Sequence, residues 1–158
     1  MGKAGGYTVV ELLTVLALVS IALALAYPSL AALTRGQELE RAAVDLLYGL
    51  RLASAKAVVA GCRMRVSTAP GGDGRWRYLI EREAGEGWAA EGVARAVPRG
   101  AVLATAGPPV KLFNPDGTCS SGSYALRGTG GELYRYTLSP ATGRVRFYRG
   151  DREAARGG

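Results

Sequence analysis

Near the C-terminus, Arg144 and Arg146 stand two residues apart, with Tyr148 next in the same alternation and Val145 and Phe147 between them. Residues two apart on a strand share a face, so the two cations and the ring would point one way and the apolar pair the other. Cations neutralise phosphates and rings stack on exposed bases, which is chemistry suited to nucleic acid. Arg149 and Arg152 follow and would support that contact. From Arg135 onward six arginines meet only Asp151 and Glu153, so this last stretch holds more than half of the net charge of +7. Pairing Leu138 with Arg144 would set Tyr136 opposite Arg146 and Tyr134 opposite Tyr148. A second reading stays open: Gly143 closes a tight hairpin, and the arginines stack on tyrosine or pair with acids.

Other chemistry is thinly supplied. There are 20 Lys plus Arg, all but three of them Arg, against 13 Asp plus Glu, and no histidine. That removes the commonest general base, the Ser-His-Asp and Cys-His systems and every His-containing metal site. No glycine pattern of a nucleotide-binding loop precedes a helix. The expectation is a protein that binds and assembles: no enzyme, no metal, no cofactor. Cys62 and Cys119, with 56 residues between them, fit no CxxC motif. In a domain outside the cytoplasm a disulfide is expected. It would add about 4 kcal/mol in the chain-entropy model. Two buried thiols are the alternative.

The elements that position these groups begin with the first sixty residues. From Tyr7 to Leu33 the only charge is Glu11, and with its flanks the apolar run is long enough to span a bilayer. Leu39, Ala43, Leu46, Leu50, Ala53 and Ala57 then recur at helical spacing, one stripe that packs on a partner surface. The pattern predicts one helix over 7–60, bent at Pro28 and stopped by Gly61. Ala24-Leu25-Ala26 has the look of a signal-peptide cleavage site, but the leader carries a single basic residue. A plain anchor leaves Glu11 unexplained, since a carboxylate in hydrocarbon costs at least about 2.5 kcal/mol.

Gly6-Tyr7-Thr8-Val9-Val10-Glu11-Leu12-Leu13 resembles the N-terminal signature of type IV pilins and type II secretion pseudopilins. The resemblance implies cleavage by prepilin peptidase between Gly6 and Tyr7 and methylation of the new amino terminus on Tyr7. It also implies that Glu11 meets the terminal amine of a neighbouring subunit as the helices bundle. Tyr7 stands where Phe is more usual, and Ala4-Gly5 separates Lys3 from Gly6.

Beyond Gly61, alternation and turn residues replace the helical period. Strands are predicted from Cys62 to Val66, over 75–82, near Val93–Val97 and Ala101–Ala104, over Val110–Phe113, and as a hairpin of Leu133–Leu138 with Arg144–Arg149. Gly87, Gly107 and the glycines over 128–131 read as surface loops. A long helix followed by antiparallel strands gives an α+β fold. The expected organisation is a leader over 1–6, a transmembrane and assembly helix over 7–33, and an extracytoplasmic globular domain over 34–158 with the helix packed on its sheet.

Three further pieces resemble H-type minor pseudopilins and FimT-like minor pilins. They are Leu50-Arg51-Leu52-Ala53-Ser54-Ala55-Lys56-Ala57, Leu112-Phe113-Asn114-Pro115-Asp116-Gly117 and Thr142-Gly143-Arg144-Val145-Arg146. Some FimT-like members use a Gly-Arg-x-Arg motif at this place to bind DNA. The resemblance implies a pilin fold and a single-pass inner-membrane protein with a periplasmic C-terminal domain, entering a pilus or pseudopilus with other pilins or pseudopilins. The favoured role is a minor pilin that binds DNA during natural transformation. The alternatives are a minor pseudopilin of a type II secretion system or a subunit that only primes pilus assembly.

Overall fold

The structure, a computed structural model, describes residues 8–150, and for residues 26–33 only their place within a helix. Gly6, Tyr7 and Arg152 fall outside the described residues, as does the bend expected at Pro28. The chain divides into two compact units, Met1–Gln37 and Glu38–Gly158.

Helix α1 spans Val9–Ala60. At its start the Glu11 amide donates to Thr8 Oγ1 at 3.2 Å, so Thr8 satisfies one of the amides that a first turn leaves without a partner. At its end Gly61 takes a left-handed φ of 62°, which costs glycine nothing and stops the helix. In the first unit the side chains from Val9 to Leu25 are exposed. That described stretch falls short of the roughly 20 apolar residues a bilayer requires. Among the described residues no helix is long and apolar enough to cross a membrane.

The second unit is built on the stripe. Leu39, Ala43, Leu46, Leu50, Ala53 and Ala57 are all buried, each at most 4% exposed. They pack on two antiparallel sheets. The first contains β1 (Met64–Pro70), β2 (Trp76–Ala84), β3 (Gly87–Ala90), β4 (Arg95–Ala96) and β6 (Val110–Phe113), in the order β3-β2-β1-β6 with β4 also on β2. The second runs β5-β7-β8-β9, formed by Val102–Ala106, Gly122–Arg127, Leu133–Leu138 and Val145–Arg149. Met64, Val66 and Phe113 from the first sheet join Leu103, Leu126 and Leu138 from the second in one core.

Two tyrosine hydroxyls tie these layers together. Tyr136 donates to the Ala43 carbonyl on α1 at 2.7 Å, and Tyr124 donates to the Val66 carbonyl on β1 at 3.2 Å. Burial pushes both phenols well above their ordinary range. Gly49 lets the Tyr78 ring lie against the helix, since a Cβ there would sit 3.0 Å from the ring.

The predicted strands over Val110–Phe113 and Leu133–Leu138 match β6 and β8 at both ends. The first strand starts at Met64 rather than Cys62, and the segment near Val93–Val97 shrinks to the two residues of β4. Strands β3 and β7 were missed. Gly87, read as a loop, begins β3, and β7 lies between β5 and β8 with Tyr124 and Leu126 fully buried.

The cysteines are corrected too: Cys62 and Cys119 are free thiols, not a disulfide. Met64 pairs with Phe113, which bridges to Cys119. Two strand spacings and two further residues therefore separate the cysteines, about 10 Å or more. A disulfide needs Cα atoms within about 7 Å. The buried Cys119 thiol instead donates to the Ser139 carbonyl at 3.3 Å, and burial pushes it up.

Acid sensitivity follows from the first sheet. Arg65 holds the Glu81 carboxylate at 2.7 Å, with Ser67 donating at 2.9 Å, and these bonds keep Glu81 below the usual carboxylate range. Arg63 does the same for Glu83, and Lys56 for Glu91. A carboxylate with a depressed folded pKa stabilises the fold above its unfolded value and loses that contribution as pH falls through the folded one. The thermal midpoint should therefore drop as pH is lowered from about 4.5. Glu81→Gln should flatten that drop, because Glu81 is the least exposed of the three. Equal slopes in the variant and the parent by differential scanning calorimetry would refute it.

Candidate binding groove along the last strand

The β8–β9 hairpin carries the arginines. Its loop is closed by the Ser139 amide donating to the Arg144 carbonyl and the Gly143 amide to the Ser139 carbonyl, both at 2.9 Å. This places Leu138 opposite Val145, Tyr136 opposite Phe147 and Tyr134 opposite Arg149. The register is one residue from the expected one, which paired Leu138 with Arg144. Cross-strand partners share a face, and the observed pairing keeps every large apolar side chain on the core side. Tyr134 and Tyr136 are consequently buried, with Phe147 stacked at 5.9 Å on Tyr134. They offer no ring to a ligand. Thr137 and Arg135 lie opposite Arg146 and Tyr148 instead.

As expected, Val145 and Phe147 point inward while Arg144, Arg146 and Tyr148 are exposed. Gly143 closes the turn as expected and also lets the backbone at Gly117 come close. Its φ is +60°, and a Cβ there would lie 2.7 Å from the Gly117 carbonyl oxygen and 2.9 Å from Ser54 Oγ.

Helix α1 runs alongside β9 and touches it at both ends. Ser54 Oγ donates to the Gly143 carbonyl at 3.4 Å, and Arg149 donates to Glu40 at 2.8 Å. Fourteen helical residues and six strand residues separate these contacts, each about 20 Å, so the two elements match in length. Between them lies an open groove of about 930 Å³. Leu47, Arg51, Ala55 and Val58 form its helix side, and Arg144, Arg146 and Tyr148 its strand side.

The four arginines assigned to DNA do not behave alike. Among the described residues neither Arg144 nor Arg146 has an acidic partner. Arg149 pairs with Glu40 and lies 6.0 Å over the Tyr134 ring, so it fastens the strand to the helix. Arg51, also without an acidic partner, joins the groove although sequence reasoning passed it over as a site. Its signal was the second helical line of Leu47, Arg51, Ser54, Ala55 and Val58, one flank away from the buried stripe. Glu11 is exposed in the first turn of α1, in the other unit. Among the described residues no three cysteine, aspartate or glutamate side chains come together as a metal ion would require.

The fold has known counterparts. The minor pseudopilin EpsH from the type II secretion system of Vibrio cholerae superposes with a TM-score of 0.57 at 18% identity, over 71% of this chain and 97% of that one. The type IV minor pilin FimU of Pseudomonas aeruginosa gives 0.58 at 21% identity, over 73% and 92%. No curated protein matches the sequence significantly. The family described as type II transport protein GspH matches residues 42–146, from the buried stripe through the Arg144–Arg146 pair. That match takes in well over half of the sequence, and the chain belongs to this family, within the superfamily of type IV pilin-like and pseudopilin minor subunits.

Proposed function

We propose that this protein is a minor pilin of a type IV pilus that contacts DNA during uptake through Arg144 and Arg146. Prepilin peptidase cuts between Gly6 and Tyr7, and Tyr7 is methylated. The apolar start of α1 enters the inner membrane and then the filament, where Glu11 meets the amine of a neighbouring pilin. The globular unit stands on the periplasmic side. The exposed apolar side chains of Val9 to Leu25, in a helix whose other half is one-faced, support assembly through that segment.

The observation that carries the DNA reading is the pair of arginines without acidic partners among the described residues, on one strand face beside the half-exposed ring of Tyr148. Arg149, already engaged by Glu40, has a supporting role in shape alone, and Arg152 belongs to the proposal by sequence only.

Titration of the protein with duplex DNA across salt concentrations tests it. Affinity should fall steeply with salt, by a log–log slope of about 0.9 for each phosphate contact. The Arg144→Ala, Arg146→Ala double variant should lose about two units of that slope and at least tenfold in affinity. Binding indifferent to the double change would overturn the assignment. A second reading would then stand, a minor pseudopilin of a type II secretion system. It is favoured by the family's description and by the likeness to EpsH.

A further inference from the structure

The groove has one more property, which lies in its backbone rather than its side chains. In an antiparallel ladder each residue points its N–H and C=O to the same side, and the side alternates along the strand. Arg144 gives its carbonyl to Ser139, and Gly150 gives its amide to Leu133. With the register of β9 on β8, residues 144, 146, 148 and 150 are therefore bonded to β8. Val145, Phe147 and Arg149 direct their amides and carbonyls the other way. Strand β9 is the outer strand of its sheet, so among the described residues no further strand meets them. The Gly143 carbonyl has the same outward sense, and there it accepts from the Ser54 hydroxyl of the helix. Beyond that point the groove lies between the helix and the strand.

We propose that this edge is a strand-addition site, which takes an extended acidic segment of a partner protein between β9 and the flank of α1. Donors and acceptors alternate along the edge as a peptide requires, whereas a polyphosphate would meet repulsive carbonyls. The 20 Å between the two end contacts admit about six extended residues. Side chains of such a segment alternate between two environments. Those facing inward pack on Leu47, Ala55 and Val58, and those facing outward lie beside Arg144 and Arg146, which lack acidic partners among the described residues. An alternation of apolar and acidic residues fits both. A second copy of β9 does not fit, because its five residues bring two more arginines and no acidic side chain to meet Arg144 and Arg146. The site shares Arg144 and Arg146 with the DNA reading and differs from it in using the backbone edge of the strand.

The probe is acetyl-Val-Glu-Val-Glu-Val-Glu-amide, added to the isotope-labelled full chain in detergent micelles, with amide hydrogen exchange as readout. The amides of Val145, Phe147 and Arg149 should slow at least tenfold, while those of Arg146 and Tyr148, already bonded, stay unchanged. The same peptide with Lys for Glu should bind at least tenfold more weakly. Methylating one alternate set of the peptide's amides should abolish binding, and methylating the other set should not. Equal binding by both methylated peptides would overturn the proposal, since attraction by the arginines alone survives methylation. No slowing at the three amides would overturn it as well. A DNA oligonucleotide that shifts the arginine side-chain signals without protecting these amides supports the separation of the two readings.

Discussion

Replacing Gly122 with alanine is expected to destabilise the globular unit by about 3 kcal/mol or more, the largest effect of any single methyl group in the chain. Gly122 opens β7 with a φ of +136°, a conformation that side chains rarely adopt. A Cβ there would lie 2.5 Å from the Ala106 carbonyl oxygen and would displace the ammonium of Lys111 from it. Lys111 is fully buried, and among the described residues it has no carboxylate partner. Its ammonium donates to the Ala106 carbonyl at 2.9 Å and lies 5.7 Å over the Tyr124 ring. Burial lowers its pKa, and the carbonyl oxygens offset part of the cost of burying the ammonium. Gly122→Ala removes that compensation and strains the backbone together. Gly117→Ala is the control. It has a φ of +84° but open space around it, so only the backbone cost of about 1–2 kcal/mol applies. Urea unfolding of the three proteins would decide it, and equal losses for both variants would remove Lys111 from the account.

Leu50→Ala is expected to cost about 2–5 kcal/mol, the range found when a large buried side chain leaves a cavity that its neighbours fill only in part. Leu50 is 0% exposed at the middle of the stripe, one turn from Leu46 on the same face. Leu52→Ala, two residues on and 46% exposed, should change stability by about 0.5 kcal/mol or less. The contrast isolates burial from helix propensity, because both substitutions put the same good helix former into the same helix. If the denaturation midpoints of the two variants coincide, the stripe does not anchor the sheets.

The stripe was also the most legible part of the sequence. Six positions at helical spacing named six buried residues, because a one-faced helix must put its apolar line against something. The two faces of β9 were legible for the same reason, since alternation on a strand leaves only two sides. Register was not. The choice between Leu138 opposite Arg144 and Leu138 opposite Val145 depends on where the Ser139–Gly143 loop closes, which is set by three backbone hydrogen bonds. Strand β7 stayed hidden because its buried pair, Tyr124 and Leu126, is short and flanked by serine, glycine and arginine that read as loop. The groove itself was half legible: Arg144 and Arg146 announced a basic strand, but Arg51 enters only once the helix is laid beside β9.

The tyrosine hydroxyls that bind helix to sheet and sheet to sheet carry an optical consequence. A phenol ionises to phenolate only where water can solvate the charge, and a phenol spent on a buried carbonyl has no such place to put it. Tyr136 reaches that condition when α1 lifts from β8, and Tyr124 when β7 parts from β1. At pH above about 10, where a phenol in water ionises, phenolate absorbance from these two rings is therefore a gauge of layer separation. The chain carries its own reporter of whether its helix is seated.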